Sequence, residues 1–250
     1  TEVPQGSLPD NPRSFWTPPY GLTEFSDLFT SRQLLALTTF HDLVGEVRVK
    51  VRSDFLAATR MAEGDRLEQG GTGAAAYSDA VATYLALAIS RLSDYGSSVS
   101  TWMPDPKNEG LRNTFARQGI PMTWGFGEAN SFSSSSGNFM FMLRGVARVL
   151  DELPAKPVNA VAWQDDAASQ RYSGALISTD PPYYDNIGYS DLSDFFYVWL
   201  RRSLRDIHPS LLSTMLVPKA EELVANPYRH GGRDGASAFF EQGFEHVFAR

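Results

Sequence analysis

Hydrophobic positions fall at helical spacing through most of the first 150 residues. From Thr30 or Ser31, both good caps, Leu34, Leu37, Val44, Val47, Val51 and Phe55 recur near the helical period and predict a long helix ending at about residue 61. A second helix is expected over 74–94, with Val81, Tyr84, Leu85, Ala88, Ile89 and Leu92 on the face that packs on the first. A third is expected over 138–153, turning Phe139, Met142, Val146, Val149 and Leu153 inward, and the serine run 133–136 ends where it can cap that helix. Between 95 and 137 the pattern is irregular apart from a short helix expected over 111–117. Residues 1–20 read as an irregular lead-in whose docking points are Phe15, Trp16 and Tyr20.

After residue 154 the period changes. Val158, Ala160 and Ala162 alternate with Asn159, Val161 and Trp163 in a short strand that runs into Gln164-Asp165-Asp166, and the apolar run Ala175-Leu176-Ile177 predicts a second strand over 175–179. Two strands ending in acidic residues and joined by a short crossover point to adjacent units of an α/β sheet, whose ligands lie beyond the carboxyl ends of the strands. The chain is thus expected to divide into a helix-rich region, 1–154, and an α/β part, 155–250. In the latter, residues 191–194 cap a helix over 195–205 that buries Phe195, Phe196, Trp199, Leu200 and Leu204 and exposes Arg201, Arg202 and Arg205. A last helical pattern covers 239–250.

Composition narrows the function classes. With 42% apolar and 20% charged residues the chain is ordinary globular material, and its net charge of −7 argues against a surface that grips phosphates everywhere, though not against a local basic patch. There is no cysteine, and the four histidines lack ligand spacing, so neither a disulfide nor a metal is expected. No apolar run approaches the ~18 residues of a membrane span and the start is polar, which predicts a cytoplasmic protein without a membrane partner. A chain that starts at Thr1 and stops inside a helical pattern reads as a piece of a longer one.

The chemistry concentrates at Asp180-Pro181-Pro182-Tyr183, directly after the second expected strand. A base amine is a poor nucleophile because its lone pair is delocalised into the ring; alkylating it requires acceptors that hold its hydrogens while the nitrogen pyramidalises. Asp180 supplies one acceptor, and the fixed backbone around Pro181 and Pro182, which has no N–H to donate, offers carbonyls as another. The ring of Tyr183 then gives a base flipped out of its duplex a face to stack on. The alternative reading is a rigid Pro-Pro turn with Asp180 as a helix cap. Thr17-Pro18-Pro19-Tyr20 has a hydroxyl in place of the carboxylate and no strand before it, and is read as a turn.

Around this shelf, Tyr184 and Asn186 are candidate nucleic-acid contacts, Arg201, Arg202 and Arg205 candidate phosphate contacts, and Lys219, with Arg229 and Arg233, lies in a loop able to approach substrate. Asp166 is either a cofactor contact at a strand end or a cap on the next turn. The cluster Gly70-Gly71-Thr72-Gly73 lacks the strand and lysine of a phosphate cradle and reads as a flexible inter-helix loop.

Residues 180–202, DPPYYDNIGYSDLSDFFYVWLRR, resemble the catalytic segment of the large prokaryotic adenine-specific DNA methylases, some of which carry a zinc-ribbon insert. The similarity extends upstream through Tyr20-Gly21-Leu22, Asp27-Leu28-Phe29, Arg32-Gln33-Leu34, Pro121-Met122 and Glu128-Ala129-Asn130, and downstream through Pro218-Lys219 and Glu222-Leu223. It implies a Rossmann-like methyltransferase fold, S-adenosylmethionine as methyl donor and adenine in DNA as acceptor. Asp180 with the Pro181-Pro182 backbone would hold the amine, Tyr183 would stack on the base, and Asp166, with Asp180, would lie at the cofactor. DNA is then the partner, alongside other subunits of a modification or restriction-type defence system. Two departures stand out: there is no cysteine for a zinc ribbon, and the only glycine-containing stretch similar to a cofactor loop, Trp124-Gly125-Phe126-Gly127, follows no strand. The same seat also suits the amine of cytosine or an RNA base, and a chain without a cofactor loop suits a non-catalytic DNA- or partner-binding module.

Overall fold

At Thr30 the lead-in becomes helix through a reciprocal cap: the Thr30 hydroxyl accepts from the Gln33 amide at 3.3 Å while the Gln33 side chain accepts from the Thr30 amide at 2.8 Å. In a computed structural model, which describes residues 3–107, 109–153, 162, 164–170, 173–185 and 187–249, this cap opens α1, Ser31–Ala58. It is followed by α2, Ala74–Ser93, a hairpin of β1, Thr101–Met103, and β2, Gly110–Arg112, then α3, Phe139–Glu152, α4, Tyr189–Leu204, and α5, Arg233–Phe248. Asn138 itself caps α3, accepting from the Phe141 amide at 2.8 Å, so the serine run is not the cap.

α2 runs through the middle, with α1, α3 and α4 packed around it. That crowding selects its small side chains: Ala74, Ala75, Ala76, Ser78, Ala82, Ala86, Ala88, Ser90 and Ser93 are buried, with Ile89 and Leu92. Of the six positions expected to face inward, Ala88, Ile89 and Leu92 do so, whereas Tyr84 is exposed and Val81 and Leu85 are half-buried. The helix is apolar on several sides, and the side with the least bulk is the one that admits three neighbours closely. Asp79, fully buried on this helix, pairs with Arg48 of α1 at 2.6 Å and with Arg66 at 3.4 Å, and accepts from the Leu67 amide at 3.3 Å. In the glycine cluster ahead of this helix, Gly71 and Gly73 are packed rather than loose: a Cβ on Gly71 would lie 1.8 Å from the Asp65 carbonyl oxygen, an approach only glycine permits.

The core is largely aromatic between α1, α4 and the lead-in. Phe29 stacks on Phe195 with ring centroids 5.6 Å apart and meets Trp199 edge-on at 5.3 Å. Phe15, expected as a docking point, is buried against Ile120, and the two residues bridge in parallel, while Trp16 and Tyr20 remain exposed. Residues 18–20 form the expected turn, closed by Gly21 at φ 89°. The stretch expected as a short helix over 111–117 instead begins as β2, paired antiparallel to β1 with Trp102 opposite Leu111.

Two elements expected in the α/β part differ. Residues 175–179 form no strand: they have no ladder partner among the described residues, and Leu176 is 100% exposed and Ile177 53%. An apolar run is a strand only where other strands accept from its amides and donate to its carbonyls. The other expected strand falls on residues 158–161 and Trp163, which lie outside the described residues. Among the described residues the only sheet is the β1–β2 hairpin. The helix expected over 195–205 starts earlier, at Tyr189, and the last helix starts at Arg233 rather than 239.

Candidate functional site

The shelf is fixed from its downstream side. Tyr184 has φ 43°, a left-handed conformation that costs a tyrosine on the order of 1 kcal/mol or more. It is held there because its carbonyl accepts from the Ala225 amide at 2.9 Å, its hydroxyl donates to Ser237 at 3.3 Å, and its ring meets Phe240 of α5 edge-on at 5.1 Å. Next to it, the Arg13 guanidinium donates to both the backbone carbonyl (2.9 Å) and the carboxylate (3.0 Å) of Asp185. Upstream, among the described residues, no hydrogen bond ties residues 175–179.

Asp180 and Tyr183 come together on this shelf. Both are exposed, and the Tyr183 hydroxyl donates to the Asp180 carboxylate at 3.0 Å. That bond, with the charge behind it, pushes the phenol up from its ordinary pKa. Pro181 is exposed and Pro182 half-buried between them. Sequence reasoning gave Tyr183 a role through its ring alone; the hydroxyl contact with Asp180 is additional, and it occupies one carboxylate oxygen. Asn186 lies outside the described residues.

Beneath the shelf, the start of α4 is tied down by charge. The Ser190 amide and hydroxyl both donate to Glu222, at 2.7 and 2.5 Å, which supplies the helix cap. Arg229 bridges Glu222 at 2.7 Å and buried Asp191 at 2.5 Å, and Asn11 donates to the other oxygen of Asp191 at 3.1 Å. Burial works to lower the Arg229 pKa, but the hydrogen bond to Glu222 and the charge of Asp191 outweigh it and raise the value. One turn on, Lys219 pairs with Asp194 at 2.6 Å, and Asp194 accepts from the Val217 amide at 2.8 Å. Burial still leaves the Asp194 carboxyl above its usual range. Asp191 and Asp194 are therefore not the caps expected from their position. They are buried inside the helix, and the Lys219 and Arg229 expected near substrate are the cations that neutralise them.

A cleft of about 600 Å³ opens beside Tyr184 and Asp185, lined also by Arg13, Tyr228, Arg233 and Pro227. Aromatic rings and guanidinium groups together suit a nucleotide, and the volume is that of an ordinary small-molecule site. Arg233 was legible as a loop cation; Arg13 and Tyr228 carried no signal in the sequence, because nothing local marks a residue of the lead-in as a neighbour of residue 185.

The other candidates lie apart from this arrangement. Asp166 is exposed and accepts from the Ala168 amide at 3.0 Å, the capping alternative. Gly127 donates its amide to the Ser100 carbonyl, and a Cβ there would lie 2.5 Å from Leu111 Cδ1, so this glycine serves packing against β2. Asp166 thus caps its own turn and Gly127 is filled in behind, so neither is placed as a contact to S-adenosylmethionine. Arg201, Arg202 and Arg205 sit at the end of α4 remote from the shelf, with Arg202 bound to Asp42 at 2.6 Å. Among the described residues no group of three or more potential ligands could hold a metal, and no helix is long and apolar enough to cross a membrane. Compared with protein-family models, curated proteins and solved structures, the chain matches none of them.

Proposed function

We propose that this chain carries the base-holding part of a DNA adenine methyltransferase, with Asp180, Pro181, Pro182 and Tyr183 as its seat for the target amine. What supports the reading is the exposed Asp180–Tyr183 pair standing beside a cleft lined by tyrosines and arginines. An incoming adenine takes the place of the Tyr183 hydroxyl at Asp180. The carboxylate accepts one amine hydrogen, a carbonyl of the Pro-Pro backbone accepts the other, and the tyrosine ring stacks on the base. Fixed acceptors of this kind act where positive charge develops on the nitrogen, and they need no reorganisation when it does. Such an enzyme takes its methyl group from S-adenosylmethionine, for which neither Asp166 nor Gly127 is placed as a contact.

The capped Asp166 and packed Gly127 favour a second reading, in which the chain is a non-catalytic DNA- or partner-binding module. Mapping modified bases in host DNA and RNA with and without the protein, and with Asp180→Ala, separates the possibilities. Methylated adenine that depends on Asp180 supports the first reading. Methylated cytosine or RNA in its place changes the substrate, and an unchanged map leaves the binding module.

A further inference from the structure

At the C-terminal end of α4 a second cavity, of about 280 Å³, is lined by Arg201, Arg202, Arg205, Asp42 and Met215 and closed on one side by the segment at Pro4. Three guanidinium groups against one carboxylate leave a net charge of two positive units here, on a chain whose own net charge is −7. Arg202 is engaged with Asp42, through Nε at 3.1 Å and Nη2 at 2.6 Å. Arg201 Nε is shut off from solvent and makes no hydrogen bond. Arg205 is 60% exposed and has only Asp206, also exposed, at 3.6 Å. Being closed to solvent, the Arg201 Nε–H does not face the cavity; what the cavity offers a ligand is the rest of the Arg201 guanidinium together with Arg205, and guanidinium groups pair best with compact, charged oxygen acceptors. The arginines also suit the negative end of the helix dipole, but that role needs no cavity.

We infer that this cavity is a phosphate site that grips the nucleic-acid backbone at a distance from the base seat; the backbone assignment rests on the DNA reading above. The rise of an α-helix puts Arg201 about 18 Å from Tyr189 along α4, which corresponds to about five base pairs of duplex. Arg201 and the mostly exposed Arg205 supply the donors, and the Arg202–Asp42 pair lines the wall beside them.

The test is fluorescence anisotropy of a 20-base-pair duplex with the 250-residue chain across a salt series, comparing wild type with Arg201→Gln/Arg205→Gln, and with Lys107→Gln/Arg117→Gln as a charge control. Inorganic phosphate is titrated into each calorimetrically. The inference expects the arginine pair to lose about tenfold in duplex affinity at low salt and the log–log salt slope to fall by about 2, with the control unchanged. Should the double variant fail to fold, Arg205→Gln alone is expected to lower the slope by about 1. Equal losses in arginine and control pairs overturn the inference. Phosphate binding that needs Arg201 and Arg205, with duplex affinity unaltered, overturns the grip on the backbone and makes free phosphate the ligand. If wild type binds phosphate through these arginines but no duplex at all, the DNA reading falls while the phosphate site stands.

Discussion

Arg229 reaches from the loop before α5 to Asp191, buried in the first turns of α4, and closes on it at 2.5 Å. The bond joins segments 38 positions apart and completes a group in which Glu222, Ser190 and Asn11 also take part. A charge pair this enclosed is worth little against a well-packed apolar substitute, but losing one partner strands the other. Arg229→Met is therefore expected to destabilise the chain by about 3 kcal/mol, with Asp191→Asn milder because the amide can still bond to Arg229. Urea denaturation of the two variants measures both.

Asp180 and Tyr183 make separable predictions. In the host, Asp180→Ala is expected to lower adenine methylation by about a hundredfold, the scale of one lost preorganised contact. Tyr183→Phe frees the carboxylate and keeps the ring, so activity persists, while Tyr183→Ala loses base affinity by on the order of tenfold. Equal losses in the two tyrosine variants would show that the hydroxyl, rather than the ring face, matters.

His41 makes stability pH-dependent. Its ring lies against Trp199, planes 12° apart, with Nδ1 2.5 Å from the Ser203 hydroxyl. Burial, helped by the Arg202 charge, lowers its pKa from 6.5 to about 3. The unfolded chain takes up a proton below 6.5 and the folded chain does not until about 3, so this contribution is intact above 6.5 and is lost as pH falls towards 3, by up to about 1.4 kcal/mol per pH unit. Thermal or urea unfolding between pH 7 and 4 should show a shallower decline in His41→Phe, which keeps a flat ring at Trp199 and cannot be charged.

The chain alone is expected to bind S-adenosylmethionine no better than about millimolar. Calorimetry showing micromolar binding would mean that a cofactor seat forms after all, with Gly125 and Gly127 the first positions to examine.

The helical half was largely readable because its signals are local. Thr30 marks the start of α1, whereas the cap of α3 is Asn138 rather than the serine run, and Val47, Val149 and Leu153, expected on packed faces, are exposed. What escaped notice depends on distant segments. Acidic residues ahead of an apolar run look like caps, and only the approach of Lys219 and Arg229 turns Asp191 and Asp194 into buried ions. β1 and β2 have three residues each, too few to show an alternation. At the shelf, Asp180-Pro-Pro-Tyr183 stands out as a motif in the sequence, but the anchoring of the segment by Arg13, Ala225 and Phe240 belongs to tertiary packing.

The bare apolar stretch at Leu176 and Ile177 also governs how the chain behaves in the test tube. Unpaired backbone beside exposed aliphatic side chains is a template for another copy to add to, edge on edge, and Pro181-Pro182 stops such pairing only on the downstream side. Concentrated solutions are expected to self-associate through this stretch. Light scattering should show that Leu176→Lys raises the concentration at which they do so, while leaving the melting temperature unchanged.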